Sequence, residues 1–446
     1  MSVQPAGPRV VIVAEHASAV FGGEAILPLH VFRKLRARGV EAWLVVHSRT
    51  KAELLALMPG EAERISFIPD TRFHVAMHKL GRFLPARLAY FTFGYASRLS
   101  CQRIARSIVR GLIKAHGAEV VHQPIPVSPR EPSLMHGLGV PVVMGPMNGG
   151  MSYPPAFLAG DRRMALVGRI AELGRKASGL AHRLMPGKLE AETLLVANPR
   201  TRDALPAGTR GLVIELVENG VDPDLWLDQN PPDRRREPSD RVRFTFVGRL
   251  VDWKAVDLLI EAFARIVGQA PVELEIIGDG PMRAALEEQA GRLGLSGSVR
   301  FEGWLEQSAC AVRLERSDAL VLPSLYECGG AVVLEAMACG LPCVATDWGG
   351  PADYLDETCG ILVPPDSRES FVEGLAGAML RLARSAELRE AMGRSAREKV
   401  ASGPFNWDHK IERILAIYDD AIARHAARPP AVASVELKAE GQAVGR

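Results

Sequence analysis

Residues Pro323–Pro351 read PSLYECGGAVVLEAMACGLPCVATDWGGP. Before them, Ala319–Leu322 is a short apolar run of buried-strand type, ended by Pro323 and Ser324. A loop carrying Glu327 leads through Cys328-Gly329-Gly330 into AVVLEAMAC, which is apolar nearly all round. Gly340 stands where a helix takes a left-handed C-terminal residue, and Pro342 prevents continuation. Leu341–Thr346 then reads as the next strand and Gly349-Gly350 as a second flexible turn. Glycines at a helix start let a ligand approach the backbone, and the free N–H groups there attract phosphate. Glu327 lies just before that helix and Glu335 about one turn inside it, where an acid is costly without a partner. One reading is two acids placed to receive the hydroxyls of a phosphorylated ligand. The other is a solvated loop glutamate and one that caps a backbone group.

Working outward, the same alternation fills the chain. Arg9–Ala14, Ala42–His47, Ala118–His122, Val140–Gly145, Leu194–Asn198 and Leu212–Val217 are strand candidates, with helical periodicity over Ile26–Gly39. The second half repeats it with Arg243–Val247, Leu274–Gly278, Val299–Gly303 and Gly360–Val363, and a last helix candidate at Phe405–Ala421. Strands separated by helices imply parallel sheets with crossover connections, so the fold class expected is α/β with doubly wound domains. In such sheets ligands bind at the loops beyond the strands' carboxyl ends. A chain of 446 residues has room for two such domains.

Composition is that of a globular protein, 47% hydrophobic and 24% charged. Residues 1–8 are polar without a signal-peptide apolar stretch, and no run of about eighteen apolar residues predicts a spanning helix. The six cysteines, Cys101, Cys310, Cys328, Cys339, Cys343 and Cys359, show no CxxC pairing and read as reduced packing residues rather than zinc ligands. Net charge is only +2, which disfavours nucleic acid as a partner, but it hides two basic inserts. Thr71–Ala118 holds nine Lys or Arg and no acid, interleaved with Phe73, Phe83, Tyr90, Phe91, Phe93 and Tyr95. Asp161–Lys188 holds seven against two acids. Such helices either lie on anionic membrane or bury an apolar face and leave a solvated basic one.

The spacing PS-x-x-E-x-x-G with Glu327 and Glu335 resembles the signature of the retaining glycosyltransferases of family 4 (group 1). That resemblance implies the GT-B fold, two Rossmann-like domains facing across a cleft. It covers about residues 9–422 and is more specific in the second half. It implies residues 1–217 as an N-terminal acceptor-binding domain, 242–403 as a nucleotide-sugar-binding domain, and 404–425 as a helix crossing back onto the first. Between the domains, 218–241 is a Pro-rich charged linker that opens on the Asn219-Gly220-Val221-Asp222 also found in the family; 426–446 reads as a disordered tail.

Residue by residue, Gly248-Arg249-Leu250 followed by Lys254 matches the family's pair of bases on the leaving diphosphate, although Ala255 stands where the family has glycine. Asp279-Gly280 matches the next turn, and Trp304 and Leu305 the part that contacts the base. Glu327 is expected on the donor-sugar hydroxyls and Glu335 on the ribose, with backbone N–H groups from Cys328, Gly329, Gly330 and Ala331 on the diphosphate. Gly22 and Gly23 are expected beside both donor phosphate and acceptor. His122, in His122-Gln123-Pro124, is expected to line the cleft near the reacting sugar, and Asn148, in GPMNGG, the acceptor side; Asn198-Pro199-Arg200-Thr201 is expected to help line it. His122, Glu327, Arg249 and Lys254 are the residues expected to act in catalysis.

The activity implied is retaining transfer of a hexosyl group from a nucleotide-diphosphate sugar (UDP or GDP) to a hydroxyl of a glycan or lipid-linked glycan in envelope or exopolysaccharide assembly. No metal or other cofactor is called for, since the bases can neutralise the diphosphate and no Asp-x-Asp is present. The expected setting is the cytoplasm, with 71–118 placed to touch the inner membrane face. A nucleotide-sugar epimerase and a non-catalytic sugar-nucleotide scaffold are the alternatives on the same fold.

Overall fold

The computed structural model describes residues 7–21, 23–84, 89–158, 179–226 and 240–428. Seven parallel strands form the first sheet: β1 Val10–Val13, β2 Ala42–His47, β3 Ile65–Ile68, β4 Val120–Gln123, β5 Val142–Met147, β6 Thr193–Val196 and β7 Leu212–Glu215. Their spatial order is β3-β2-β1-β4-β5-β6-β7. Six more form the second: β8 Val242–Val247, β9 Val272–Ile277, β10 Val299–Gly303, β11 Ala319–Leu322, β12 Cys343–Thr346 and β13 Gly360–Val363, in the order β10-β9-β8-β11-β12-β13. Each sheet reverses its winding once, between β1 and β4 and between β8 and β11, and the crevice at such a reversal is where doubly wound folds hold ligands. Strands like Ala319–Leu322 are apolar throughout because helices cover both faces.

The helices that position the site are α1 Gly23–Ala37, α2 Arg72–Gly81, α3 Tyr95–His116, α4 Val256–Ala264, α5 Ala331–Ala338, α6 Arg368–Arg384 and α7 Trp407–Ala426. Alternation along the first sheet's strands gives it two separate cores. Val10, Ile12 and Val120 face α1 and α7, while Val11, Val13 and Val121 face Cys101, Ala105 and Val109 of α3. Helix α7 follows the second sheet in sequence yet packs on the first, through Trp407, Ile411, Ile414, Ile417, Tyr418 and Ala421, a stripe of helical period.

Strand β3 was not foreseen from the sequence: ISFI is a four-residue edge strand whose middle two side chains are only half-buried, so neither alternation nor a long apolar run marks it. The basic insert 71–118 is helical, and none of the described helices is long and apolar enough to cross a membrane. Of the second basic insert only 179–188 is described; most of the linker, 227–239, and the tail from 429 lie outside the described residues.

Candidate functional site

At the second sheet's reversal, the loop after β8 and the loop after β11 meet. Lys254 Nζ pairs with Glu327 Oε2, both side chains only 16% exposed. The backbone ties the two loops as well, Leu325 N donating to the Trp253 carbonyl at 2.9 Å. Arg249, on the same loop as Lys254, is exposed, and no described side chain pairs with it. Its neighbour Leu250 donates to the Asp279 carbonyl at 3.0 Å, and a Cβ at Gly280 would overlap Leu250's carbonyl, so that turn and the basic loop need glycine for their close approach. The sequence places Ala255 where the resembling family has glycine; here Ala255 has φ +51°, the one non-glycine with positive φ among the described residues. The loop thus keeps a left-handed turn there at a cost of about 1–2 kcal/mol.

Gly330 precedes α5 with φ +81°, turning the chain so that the first N–H groups of α5, from Ala331 on, open beside Glu327. Glu335 is half-buried and accepts from Gln307 Nε2 at 3.2 Å. Gln307 follows Trp304 and Leu305 after β10, so this bond ties the exposed Trp304 platform (68% exposed) to α5. Burial pushes the Glu335 carboxyl up to about 7, with the Gln307 bond opposing. Lys254 and Glu327 thus meet beside the start of α5, Arg249 lies on the loop that carries Lys254, and Glu335 joins α5 to the segment after β10.

The front-lobe expectations fare differently. Gly22 lies outside the described residues; Gly23 begins α1, and a Cβ built there meets nothing within 4 Å. His122, expected to line the cleft, is fully buried instead. Its Nε2 donates to the Gly145 carbonyl and its Nδ1 accepts from Tyr418 Oη, both at 2.6 Å, leaving no atom for a substrate. The reason is parity: His122 shares the α7 face of β4 with Val120, and its neighbour Gln123 takes the other face. Asn148, expected on the acceptor side, is also buried and serves as a strap. Its Nδ2 donates to Glu218 Oε1 at 2.6 Å and to the Cys328 carbonyl at 2.7 Å, so a first-lobe side chain holds the loop before α5. Asn198 caps its helix through Thr201 N at 2.8 Å and donates across to Asp353 at 2.8 Å, joined there by Arg200 at 3.0 Å. These interlobe groups were missed as such because nothing in their local pattern marks a partner more than a hundred residues away.

Burial holds the His122 imidazole down at about 4, the Gly145 bond opposing. The unfolded chain therefore takes up this proton first, and stability is lost as pH falls from about 6.5 to about 4, amounting to about 3 kcal/mol. Glutamine can supply both bonds without titrating. Urea unfolding at a series of pH values should show a shallower acid limb in His122→Gln by about that amount. An acid limb unchanged in a folded His122→Gln protein would contradict the structural role.

Gly329 is the other test of the strap. A Cβ there would overlap Asn219 Nδ2 and Glu218 Oε1, two groups already bonded to each other at 2.9 Å. Gly329→Ala should cost about 1–3 kcal/mol of stability in chemical denaturation.

Among the described residues one set of His, Asp, Glu and Cys groups lies close enough to hold a metal, His47, Asp70 and His74. Each histidine's Nδ1 already accepts a backbone N–H at 3.3 Å, from Arg49 and Thr71, and the Arg49 guanidinium lies 3.7 Å from Asp70. The Nε2 of His74 has no partner among the described residues, but a cation there would face the Arg49 guanidinium.

The family described as "Glycosyl transferases group 1" matches residues 229–399. The D-inositol 3-phosphate glycosyltransferase of Kribbella flavida is 33% identical over 235 residues, 49% of this chain and 54% of the relative. The chain thus spans about half the length of the curated relatives it matches. Among solved structures, sucrose-phosphate synthase from Thermosynechococcus elongatus superposes with TM-score 0.62 at 18% identity, covering 94% of this chain and all of that one. HepE of Anabaena in complex with UDP gives 0.61 at 17%, covering 92% and 100%. At these identities the likeness is one of fold.

Proposed function

We propose, from the match of residues 229–399 to the group 1 glycosyl transferase family and from the GT-B fold, that the protein transfers a hexosyl group, with retention, from a nucleotide-diphosphate sugar to an acceptor hydroxyl. The observation that carries this reading is the meeting of Lys254 with Glu327 at the start of α5, with Arg249 on the same loop. Lys254 is neutralised by its pairing with Glu327. A bound diphosphate takes over Lys254 and Arg249, and Glu327 is released to accept from the donor sugar's hydroxyls. The N–H groups from Cys328 to Ala331 and the two bases stabilise charge as the anomeric C–O bond to the diphosphate breaks. The acceptor oxygen bonds to the same face, and its proton passes to the departing phosphate. Glu335 serves the ribose and Trp304 the base.

HepE is known with UDP bound, which supports uridine as a first choice of nucleotide. Thermal shift with UDP, GDP and ADP tests the donor assignment: a ligand at 100 times its Kd stabilises by about 2.7 kcal/mol. Absence of a shift with all three would remove the transferase reading.

The acceptor is a glycan or a lipid-linked glycan. On α2 and just beyond it, Phe73, Leu80 and Phe83 are exposed beside Arg72, Lys79 and Arg82. An apolar face among bases, with no acid from 71 to 118, suits an anionic lipid surface at the cytoplasmic side of a membrane. Co-sedimentation with phosphatidylglycerol vesicles, lost in Phe83→Asp, is the check.

A further inference from the structure

The first sheet's reversal, between β1 and β4, holds a cavity of about 310 Å³ at the strands' carboxyl ends. Glu15, Glu24, Glu131, Arg98 and Gln123 are among its walls. Gln123 is only 6% exposed, and its Oε1 accepts from Ser133 Oγ at 2.6 Å. Its amide N–H groups have no partner among the described residues and are left for whatever occupies the cavity. Arg98 is paired with Glu131 at 3.1 Å, both about 15% exposed, so the guanidinium is already neutralised. Glu15 has only the loose contact of His16 Nε2 at 3.5 Å, and Glu24 stands at the start of α1.

Glu24 also lies within electrostatic reach of Cys328 and Glu218. The Cys328 thiol is raised to about 11, first by burial, then by Glu327 and Glu218, against Arg200, with Glu24 adding to the rise. The Glu24 carboxyl is itself pushed above its ordinary range by desolvation, then by Glu131 and Glu218. Three carboxylates thus converge on a recess whose one lining guanidinium is spent.

We infer that this cavity receives the acceptor as a neutral or amino-bearing sugar or polyol, and that its carboxylates turn away a phosphorylated one. Sugar hydroxyls donate to Glu15 and Glu24, and the Gln123 amide donates to a hydroxyl or ring oxygen, so a polyol is bound from both directions. An ammonium gains a further charge-assisted bond. A phosphomonoester meets like charge, with Arg98 already paired and the one lining imidazole, His16, held toward its neutral form by burial, Glu15 opposing. The inference rests on the transferase reading, and the relatives named for D-inositol 3-phosphate would differ here in acceptor class.

Saturation-transfer NMR on the full chain tests it, with methyl glucoside, methyl glucosaminide and a glucose phosphomonoester as probes. The first two should bind, and the phosphomonoester at least tenfold more weakly. Glu24→Gln should weaken the glucosaminide at least fivefold, and the milder Gln123→Glu should weaken the neutral glycoside while sparing the glucosaminide. Equal or tighter binding of the phosphomonoester, no binding of any probe, or unchanged affinities in Glu24→Gln would overturn it. Nucleotide thermal shifts on the same samples separate the two readings: a retained shift with unbound sugars sinks this inference alone. Sugar preference kept without any nucleotide shift sinks the transferase instead.

Discussion

Lys254→Ala should lower the turnover of sugar transfer by about 10²–10³-fold, the loss that follows removal of one fixed donor aimed at developing negative charge. Lys254 is 16% exposed and held by Glu327, so its ammonium is positioned before any donor arrives. The effect belongs in kcat more than in KM, because charge on the diphosphate grows as the anomeric bond breaks. Glu327→Gln keeps shape and hydrogen bonding but gives up the charge, and should also lower kcat strongly while leaving nucleotide binding measurable. Each single change strands its partner in a half-buried place, so part of the loss is in stability. The double variant Lys254→Ala with Glu327→Gln removes that strain, and its denaturation midpoint should recover relative to Lys254→Ala while activity stays low. Turnover unchanged in either single variant, across a donor and acceptor panel, would rule out the roles given to this pair.

A second large effect is expected where α7 packs on the first lobe. Trp407→Ala should destabilise the protein by about 3–5 kcal/mol, the range for emptying a large aromatic site in a core. Trp407 is 1% exposed, stacks on His30 of α1 at 4.9 Å between centroids, and lies under the Lys410 ammonium at 4.6 Å. Lys410 is itself buried and donates to the Glu218 carbonyl at 3.2 Å and to the Asn219 carbonyl. Burial lowers its ammonium to about 7, with the Glu218 charge opposing, so the ring and the two carbonyls are what hold it. Losing the indole loosens α7 from the first lobe and the Glu218–Asn219 segment with it. Urea unfolding that showed a loss below about 1 kcal/mol would mean α7 is not anchored as described.

Much of this was legible in residue order. Apolar strands and helices in alternation imply parallel doubly wound sheets, and Glu327, Gly330, Gly340 and Pro342 mark their loop and helix from local conformational preference. Lys254 and Glu327 are 73 positions apart, yet each follows a strand's carboxyl end, and in a parallel sheet those ends share one edge. Their meeting is a consequence of topology that the pattern already carried.

His122 shows where local pattern ran out. Whether it or Gln123 faces the cavity depends on one residue of strand parity, and which face α7 covers depends on a helix almost three hundred positions later. Asn148 and Asn198 likewise look like loop residues at strand ends until Cys328 and Asp353 arrive from the other lobe. Backbone preference acts over a few neighbours, so it specifies elements and their edges. Which side chain is sealed and which stays open is set by packing between segments distant in the chain, and only the folded molecule brings those together.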